Sequence, residues 1–388
     1  MDFTLSPDQE SVRTAVRELA GRFDDDYWAA RDEAHEFPWE FYNAFAEAGW
    51  LGLAIPEEYG GGGLGIVEAG LLLQEVAASG AAMNGCSTMH LTIFGINVVV
   101  KHGGEEMRKE VLPGIVSGDL HVCFAVTEPD AGTDTTRVRT RALRDGDGYV
   151  IDGRKLWITK AGDSQKMVLV TRTTPREEVA KPTDGLTLFL VDIDPDHVDI
   201  RPIPKMGRNA VASNEVVIEG LRVPESARIG EEGSGFRHLL DGLNPERILL
   251  AHESVGIGRA ALRRAVDYAG QREVFGRPIG QNQGIQFPLA QAAAQLEAGE
   301  LLARKAAWMY DAGMPCGPEA NMAKLLCADA AFMAADRAVQ THGGMGYARE
   351  YHVERYFREA RLMQIAPISQ EMVLSYLSQH VLGLPRSY

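Results

Sequence analysis

His121-Val122-Cys123-Phe124-Ala125-Val126-Thr127-Glu128-Pro129-Asp130-Ala131-Gly132-Thr133-Asp134 marks the point where the texture of this chain changes. Its first half mixes β-branched and aromatic residues and reads as a strand. Its second half carries proline, glycine and acids and reads as a turn. Thr127 and Thr133 offer hydroxyls there, and Gly132 leaves room for a bulky ligand to approach the backbone.

Before this stretch, residues 1 to 120 read as helices. Ser6 caps the first, with Pro7 at its first helical position and Gln9 completing a capping box. Glycine-rich Glu57–Gly63 separates two helices, and the Ala- and Leu-rich run from Val67 to Ala82 predicts one buried helix. After it, Tyr149–Ile151, Met167–Thr171, Leu186–Val191 and Glu215–Ile218 read as further strands. Asp145-Gly146-Asp147-Gly148 predicts a hairpin turn, because its glycines accept positive φ, and Thr173–Pro182 predicts an exposed loop.

From Gly235 the helical period returns. Arg247–Tyr268, Ile285–Ala312 and Pro318–Gln340 are long, Ala-rich and nearly free of proline, the pattern of a four-helix-like bundle. Strands and helices never alternate as βαβ units, which argues against a doubly wound nucleotide fold. The expected class is α+β, with a helical domain at 1–120, a β domain at 121–235 and a helical bundle at 236–388.

With 388 residues the chain can build two or three packed units, and 45% hydrophobic with 24% charged residues is a globular composition. A net charge of −15 argues against nucleic-acid or anionic-membrane surfaces while leaving room for a local basic pocket. Cys86, Cys123, Cys316 and Cys327 have no metal-like spacing and read as reduced thiols. The acidic N-terminus, Met1–Glu10, lacks the apolar core of a secretory signal, and the longest strongly apolar run, around Leu91–Val100, is too short for a bilayer. A cytoplasmic protein is the expectation; a transit peptide already removed would leave the same sequence.

Several stretches, in order and spread over most of the chain, resemble the acyl-CoA dehydrogenase family. They are Ile55–Gly61, Ala125–Asp134, Leu156-Trp157-Ile158-Thr159, Arg272-Glu273-Val274-Phe275-Gly276 with Gln283, and Gln340–Tyr347 with Arg355. The resemblance implies an N-terminal helical domain, a β-barrel-like middle domain and a C-terminal four-helix bundle. It also implies FAD as cofactor, an acyl-CoA substrate, an electron-transfer flavoprotein as acceptor, and a homotetramer built from dimers.

Carried over residue by residue, the resemblance places Phe124, Val126, Thr127, Gly132 and Thr133 against the flavin, with Thr133 also meeting the CoA arm. Trp157 would offer a flat apolar face to the ring and Thr159 a hydroxyl to its polar edge. Arg272, Phe275, Gln283 and Gln340 match positions that reach the FAD of a neighbouring subunit, where a guanidinium suits a pyrophosphate, and Gly343 and Gly344 would let a backbone turn pass close to the adenosine portion of the cofactor. Ser369 and Glu371 match later flavin contacts.

One family feature is missing. Where many members carry a catalytic glutamate, whose backbone N–H also holds the thioester carbonyl, this chain has Pro367 within Ala366-Pro367-Ile368-Ser369. Proline supplies neither base nor amide donor. Members resembling isovaleryl-CoA and long-chain enzymes place the base before an arginine at the start of a long helix. Gly242-Leu243-Asn244-Pro245-Glu246-Arg247 fits that pattern, making Glu246 the candidate base, with Asn244 and Arg247 serving the substrate.

A competing reading makes Asn244 an N-cap, Pro245 the first helical residue and Glu246 a first-turn carboxylate favoured by the helix dipole. His252 reads as a packing or capping histidine and His90 as a satisfied core histidine or a lining of the acyl pocket. Three activities stay open: an acyl-CoA dehydrogenase, a flavin oxidase or monooxygenase on the same fold, and a catalytically silent acyl-CoA-binding relative.

Overall fold

The structure, a computed structural model, describes residues 4–387; Met1–Phe3 and Tyr388, which begin and end the terminal segments, lie outside it. Helices come first: α1 (Pro7–Ala20), α2 (Asp25–Ala34), α3 (Trp39–Glu47), α4 (Ile66–Val76), α5 (Ala82–Ile93), α6 (Asn97–His102) and α7 (Glu105–Ser117). The strands are β1 (Val122–Ala125), β2 (Arg141–Asp145), β3 (Gly148–Thr159), β4 (Lys166–Arg172), β5 (Leu186–Asp192), β6 (Val198–Pro202), β7 (Ser213–Pro224) and β8 (Arg228–Ile229). Then follow α8 (Gly235–Gln271), a two-stranded arm of β9 (Glu273–Val274) and β10 (Arg277–Pro278), α9 (Gln283–Asp311), α10 (Gly317–His342), α11 (Val353–Met363) and α12 (Gln370–His380).

Local signals act where they were expected. Ser6 Oγ accepts from Gln9 N at 3.2 Å and Gln9 Oε1 accepts from Ser6 N at 3.1 Å, so α1 opens on a complete capping box. Asp145 pairs with Gly148 across the β2–β3 hairpin, with Gly146 at φ 63°. The sheet runs β6-β7-β3-β2-β4-β5-β8, with β1 parallel to β4. It is barrel-like but keeps β6 and β8 as edges. Strand β2 escaped the sequence reading because only Ala142 of its five residues is buried.

Two helical expectations need correction. The run Val67–Ala82 is not one helix: it breaks at a wide turn, Ala77–Ala81, where Gly80 has φ 111° and Ala82 φ 47°. Glu359 accepts from Met83 N at 2.6 Å and from Asn84 N, supplying the cap that restarts the chain as α5. Second, α8 begins at Gly235, so Pro245 lies inside it and Asn244 is no N-cap. An internal proline forfeits its own backbone donor, and the packed faces on either side carry the helix through.

The stretch Ile66–His102 is also more apolar than Leu91–Val100 suggested. It holds a window of mean hydropathy 1.3, enough in length and composition for a membrane span, but 72% of that window is buried inside the molecule. It is core: residues of α1–α5 share one hydrophobic cluster with residues of α8–α11. Helices α4 and α8 meet at backbone distance, since a Cβ on Gly256 would lie 2.4 Å from the Gln74 carbonyl oxygen. The N- and C-terminal helices thus form one packed layer beside the sheet.

Candidate active site

Strand β1 delivers the loop that begins at Val126, and β3 holds that loop in place. Glu128 is buried and accepts from Lys155 Nζ at 2.8 Å, Thr140 N at 3.0 Å and Arg139 N at 2.7 Å. Burial alone would push its carboxyl up, but the Lys155 ammonium and these donors hold it below the usual range. Lys155 Nζ also donates to the Val126 carbonyl at 3.0 Å, and Leu156 N to the Thr127 carbonyl at 2.8 Å. The loop is therefore clamped to β3, with Thr127 half-buried and Gly132 and Thr133 exposed at its outer edge.

The same stretch of β3 is irregular. Its register with β7 shifts between Lys155 and Ile158, and Trp157 adopts φ 65°, a rare conformation for a bulky residue. The bulge leaves the indole 52% exposed. A strained, exposed tryptophan beside a clamped loop is a prepared flat surface.

Thr159, one turn of the pleat further, is backed by Arg208, which sequence reasoning passed over. The Arg208 guanidinium donates to Thr159 Oγ1 at 3.2 Å, to Ser87 Oγ at 3.2 Å and to Ser213 Oγ. Burial pushes it down to about 10, and no carboxylate pairs with it among the described residues. A hydroxyl that accepts from a guanidinium has its own proton free to donate elsewhere. Phe124 and Val126 are half-buried on β1 and after it, with Phe124 packed 5.2 Å from the Phe94 ring.

Glu246 lies eleven residues into α8, away from the helix start. The first-turn dipole reading therefore fails, because that effect fades within a turn. The residue is half-buried, and its carboxyl is pushed up to about 7 by desolvation, against the opposing charges of His90 and Arg247 and with Glu253 adding to the rise. Asn244, displaced from its capping role, accepts from Arg247 Nη1 at 3.2 Å. Arg247 keeps a buried Nε without a hydrogen-bond partner. His252 is a packing residue bonded to Gln74 Oε1 at 2.8 Å. His90 is buried against Glu253, Nδ1 to Oε1 at 2.9 Å, a partner the sequence signalled only as an acid seven residues beyond Glu246 on an apolar face.

Pro367 sits in the turn between α11 and α12 and follows a cis peptide bond. The turn is held by Lys324, a buried residue unnoticed in the sequence, whose Nζ donates to the Ile368 carbonyl at 2.7 Å. Ser369 is the N-cap of α12 and Glu371 an exposed residue of its first turn.

The remaining candidates gather at another place. Arg272 follows the end of α8, Phe275 tips the β9–β10 arm fully exposed at φ 55°, and Gln283 opens α9. Gln340 lies at the end of α10 and Gly343 and Gly344 open the turn after it, where Tyr268 of α8 stacks on His342 with centroids 4.2 Å apart. Arg272 and the Gln340–Gly344 turn therefore share one end of the α8–α10 pair, and all six side chains or backbones are exposed. A Cβ on Gly343 or Gly344 would meet nothing within 4 Å. No hydrogen bond or ring contact among the described residues joins this group to Trp157, Thr159 or Glu246.

Comparison with known proteins gives the same outline. Three family models match in sequence: acyl-CoA dehydrogenase N-terminal domain over residues 6–119, middle domain over 123–221 and C-terminal domain over 233–382. The chain is 39% identical to acyl-CoA dehydrogenase FadE12 of Mycobacterium tuberculosis over 100% of its own length and 99% of that protein's. It superposes on butyryl-CoA dehydrogenase from Megasphaera elsdenii with TM-score 0.93, 30% identity and coverage of 98% and 100% of the two chains. It is likewise similar to the FAD complex of PigA, with TM-score 0.93, 25% identity and coverage of 99% and 100%.

Proposed function

Because this chain belongs to the acyl-CoA dehydrogenase family, we propose that it oxidises an acyl-CoA thioester to the 2-enoyl-CoA with Glu246 as the base, passing electrons to an electron-transfer flavoprotein. The cofactor is FAD. The residues fit that group. Trp157 offers an exposed aromatic face, Thr159 a hydroxyl free to donate, and the Gly132, Gly343 and Gly344 backbones open approaches. Arg272 supplies a cation for a pyrophosphate. When bound, FAD supplies the acceptor for the hydride that leaves the substrate's β-carbon.

The chain's own residues supply the other half. An α-proton beside a thioester is only weakly acidic, so its acceptor must be a carboxylate of raised basicity. Glu246, pushed up to about 7, meets that requirement and is the observation that carries this reading. At neutral pH about half of such a group is ionised and ready to take a proton. Arg247, the next residue on α8, sets a guanidinium beside it, steadied by Nη1 donating to Asn244 Oδ1 at 3.2 Å. The arm carrying Phe275, and the exposed end of α8 and α10, suit a subunit contact that completes the FAD site, which supports at least a dimer.

The test is anaerobic mixing of the FAD-loaded protein with a panel of acyl-CoAs, following flavin absorbance in wild type and Glu246→Gln. Bleaching in wild type, with a variant that binds the acyl-CoA but stays yellow, supports the proposal. Equal bleaching in both overturns the role of Glu246, and no bleaching in either overturns the dehydrogenase reading. Rapid reoxidation by air rather than by an acceptor dye would reassign the chain as an oxidase.

A further inference from the structure

We infer that His90 is a positioning residue for Glu246: an imidazolium clamped by Glu253 that keeps the base ionised at its half-buried place on α8. The inference rests on the reading of Glu246 as the base.

The clamp is well defined. The Glu253 side chain is fully buried, and its Oε2 has no hydrogen-bond partner. Its Oε1 meets His90 Nδ1 at 2.9 Å. A buried carboxylate with a single partner is costly unless that partner carries the opposite charge. The inference places the proton of this contact on Nδ1, with Oε1 accepting it. His90 Nε2 makes no hydrogen bond among the described residues, so the clamp fixes the ring through one nitrogen only.

The placement follows from helix periodicity. Gly242, Glu246, Leu249 and Glu253 recur at helical spacing and form one stripe along α8. Residue Phe94, just past the end of α5, covers the start of that stripe, since a Cβ on Gly242 would lie 3.3 Å from its ring. His90, one turn earlier on α5 with its ring 5.7 Å from that of Phe94, covers the far end at Glu253. Glu246 lies between these two contacts. The imidazole is thus held beside the base by a helix packed across it.

The surrounding charges give the pair its direction. Glu246 faces His90 from α5, with Arg247 and Glu253 on its own helix. His90 faces Glu253 and Glu246 on α8, and Arg208 from the loop between β6 and β7. Burial and Arg208 both work against an imidazolium, yet Glu253 and Glu246 outweigh them and hold His90 above its ordinary value. Burial in turn favours a protonated Glu246, and His90 is the foremost charge opposing it.

The experiment compares the pH profile of kcat/KM in wild type and His90→Gln, which keeps a side-chain amide able to donate to Glu253 but loses the charge. The acidic limb should move up by about one pH unit, lowering kcat/KM at neutral pH about fivefold. A limb that stays in place while the rate drops uniformly gives His90 a packing role and overturns the inference.

The coupling must also be reciprocal. In FAD-loaded protein labelled with 13C-histidine, His90 should titrate at lower pH in Glu246→Gln than in wild type. Identical titration refutes the inference, and this measurement decides alone if His90→Gln does not fold. A Glu246→Gln variant that still bleaches flavin removes the base reading. A Glu246→Gln variant that is inactive, beside an unmoved limb in His90→Gln, removes only this inference.

Discussion

The proposed role of Glu246 makes a quantitative prediction about pH. A general base must be ionised in the free enzyme, so kcat/KM follows its ionised fraction. With its carboxyl pushed up to about 7, that fraction is about one-eleventh at about pH 6 and about ten-elevenths at about pH 8, a rise of about tenfold. A solvated carboxylate titrating at its ordinary value of 4.5 would be ionised throughout and give a flat profile. The assay is initial rates at limiting acyl-CoA with a dye acceptor, repeated as the bimolecular rate of anaerobic flavin bleaching so that reoxidation cannot shape the curve. A profile flat down to about pH 5 would refute the reasoning, because it would require a base that desolvation has not reached. The same shift acts on stability with the opposite sign. The folded state binds this proton more tightly than the unfolded chain, so its contribution is present below 4.5 and lost as pH rises through about 7.

Three further outcomes are expected. Lys155→Met leaves Glu128 buried without its cation, which should cost about 3–5 kcal/mol in chemical unfolding, with part recovered on adding Glu128→Gln; an unchanged unfolding midpoint would remove the clamp from the account of this loop. Trp157→Ala should weaken FAD binding by about tenfold, read by fluorescence titration of the apoprotein, since a stacked aromatic adds about 0.5–1.5 kcal/mol beyond its buried area. Phe275→Asp, at the fully exposed tip of the β9–β10 arm, should reduce assembly measured by mass photometry without altering secondary structure; an unchanged mass would place the arm outside the subunit contact.

Much of the outline was legible because it depends on local chemistry. Ser6 and Gln9 cap α1 through contacts three residues apart, and the Asp145–Gly148 turn needs only a glycine that accepts positive φ. Long alanine-rich periods gave the C-terminal helices for the same reason. Where a local rule met packing, packing won. The Asn244-Pro245 pair reads as a helix start, yet α8 runs through it because its buried faces continue on both sides. The run Val67–Ala82 reads as one helix, yet it breaks where Glu359, far away in sequence, caps a new one.

The candidate site divides in the same way. The sequence by itself determined the family pattern and the motif loop, and it offered Trp157 for the flavin and Glu246 as a candidate for the role lost at Pro367. It could not determine what those residues are worth chemically, because charge in a protein is set by neighbours brought from elsewhere. The Glu246 carboxyl is pushed up to about 7 only by the burial and the neighbouring charges that folding brings around it. His90 meets Glu253 across 163 residues, Arg208 reaches Thr159 across 49, and Lys324 holds the turn after Pro367 across 44. Desolvation and Coulomb interaction act through space and not along the chain, so only the tertiary structure decided which carboxylates, Glu246 and Glu359 among them, are pushed up toward neutrality.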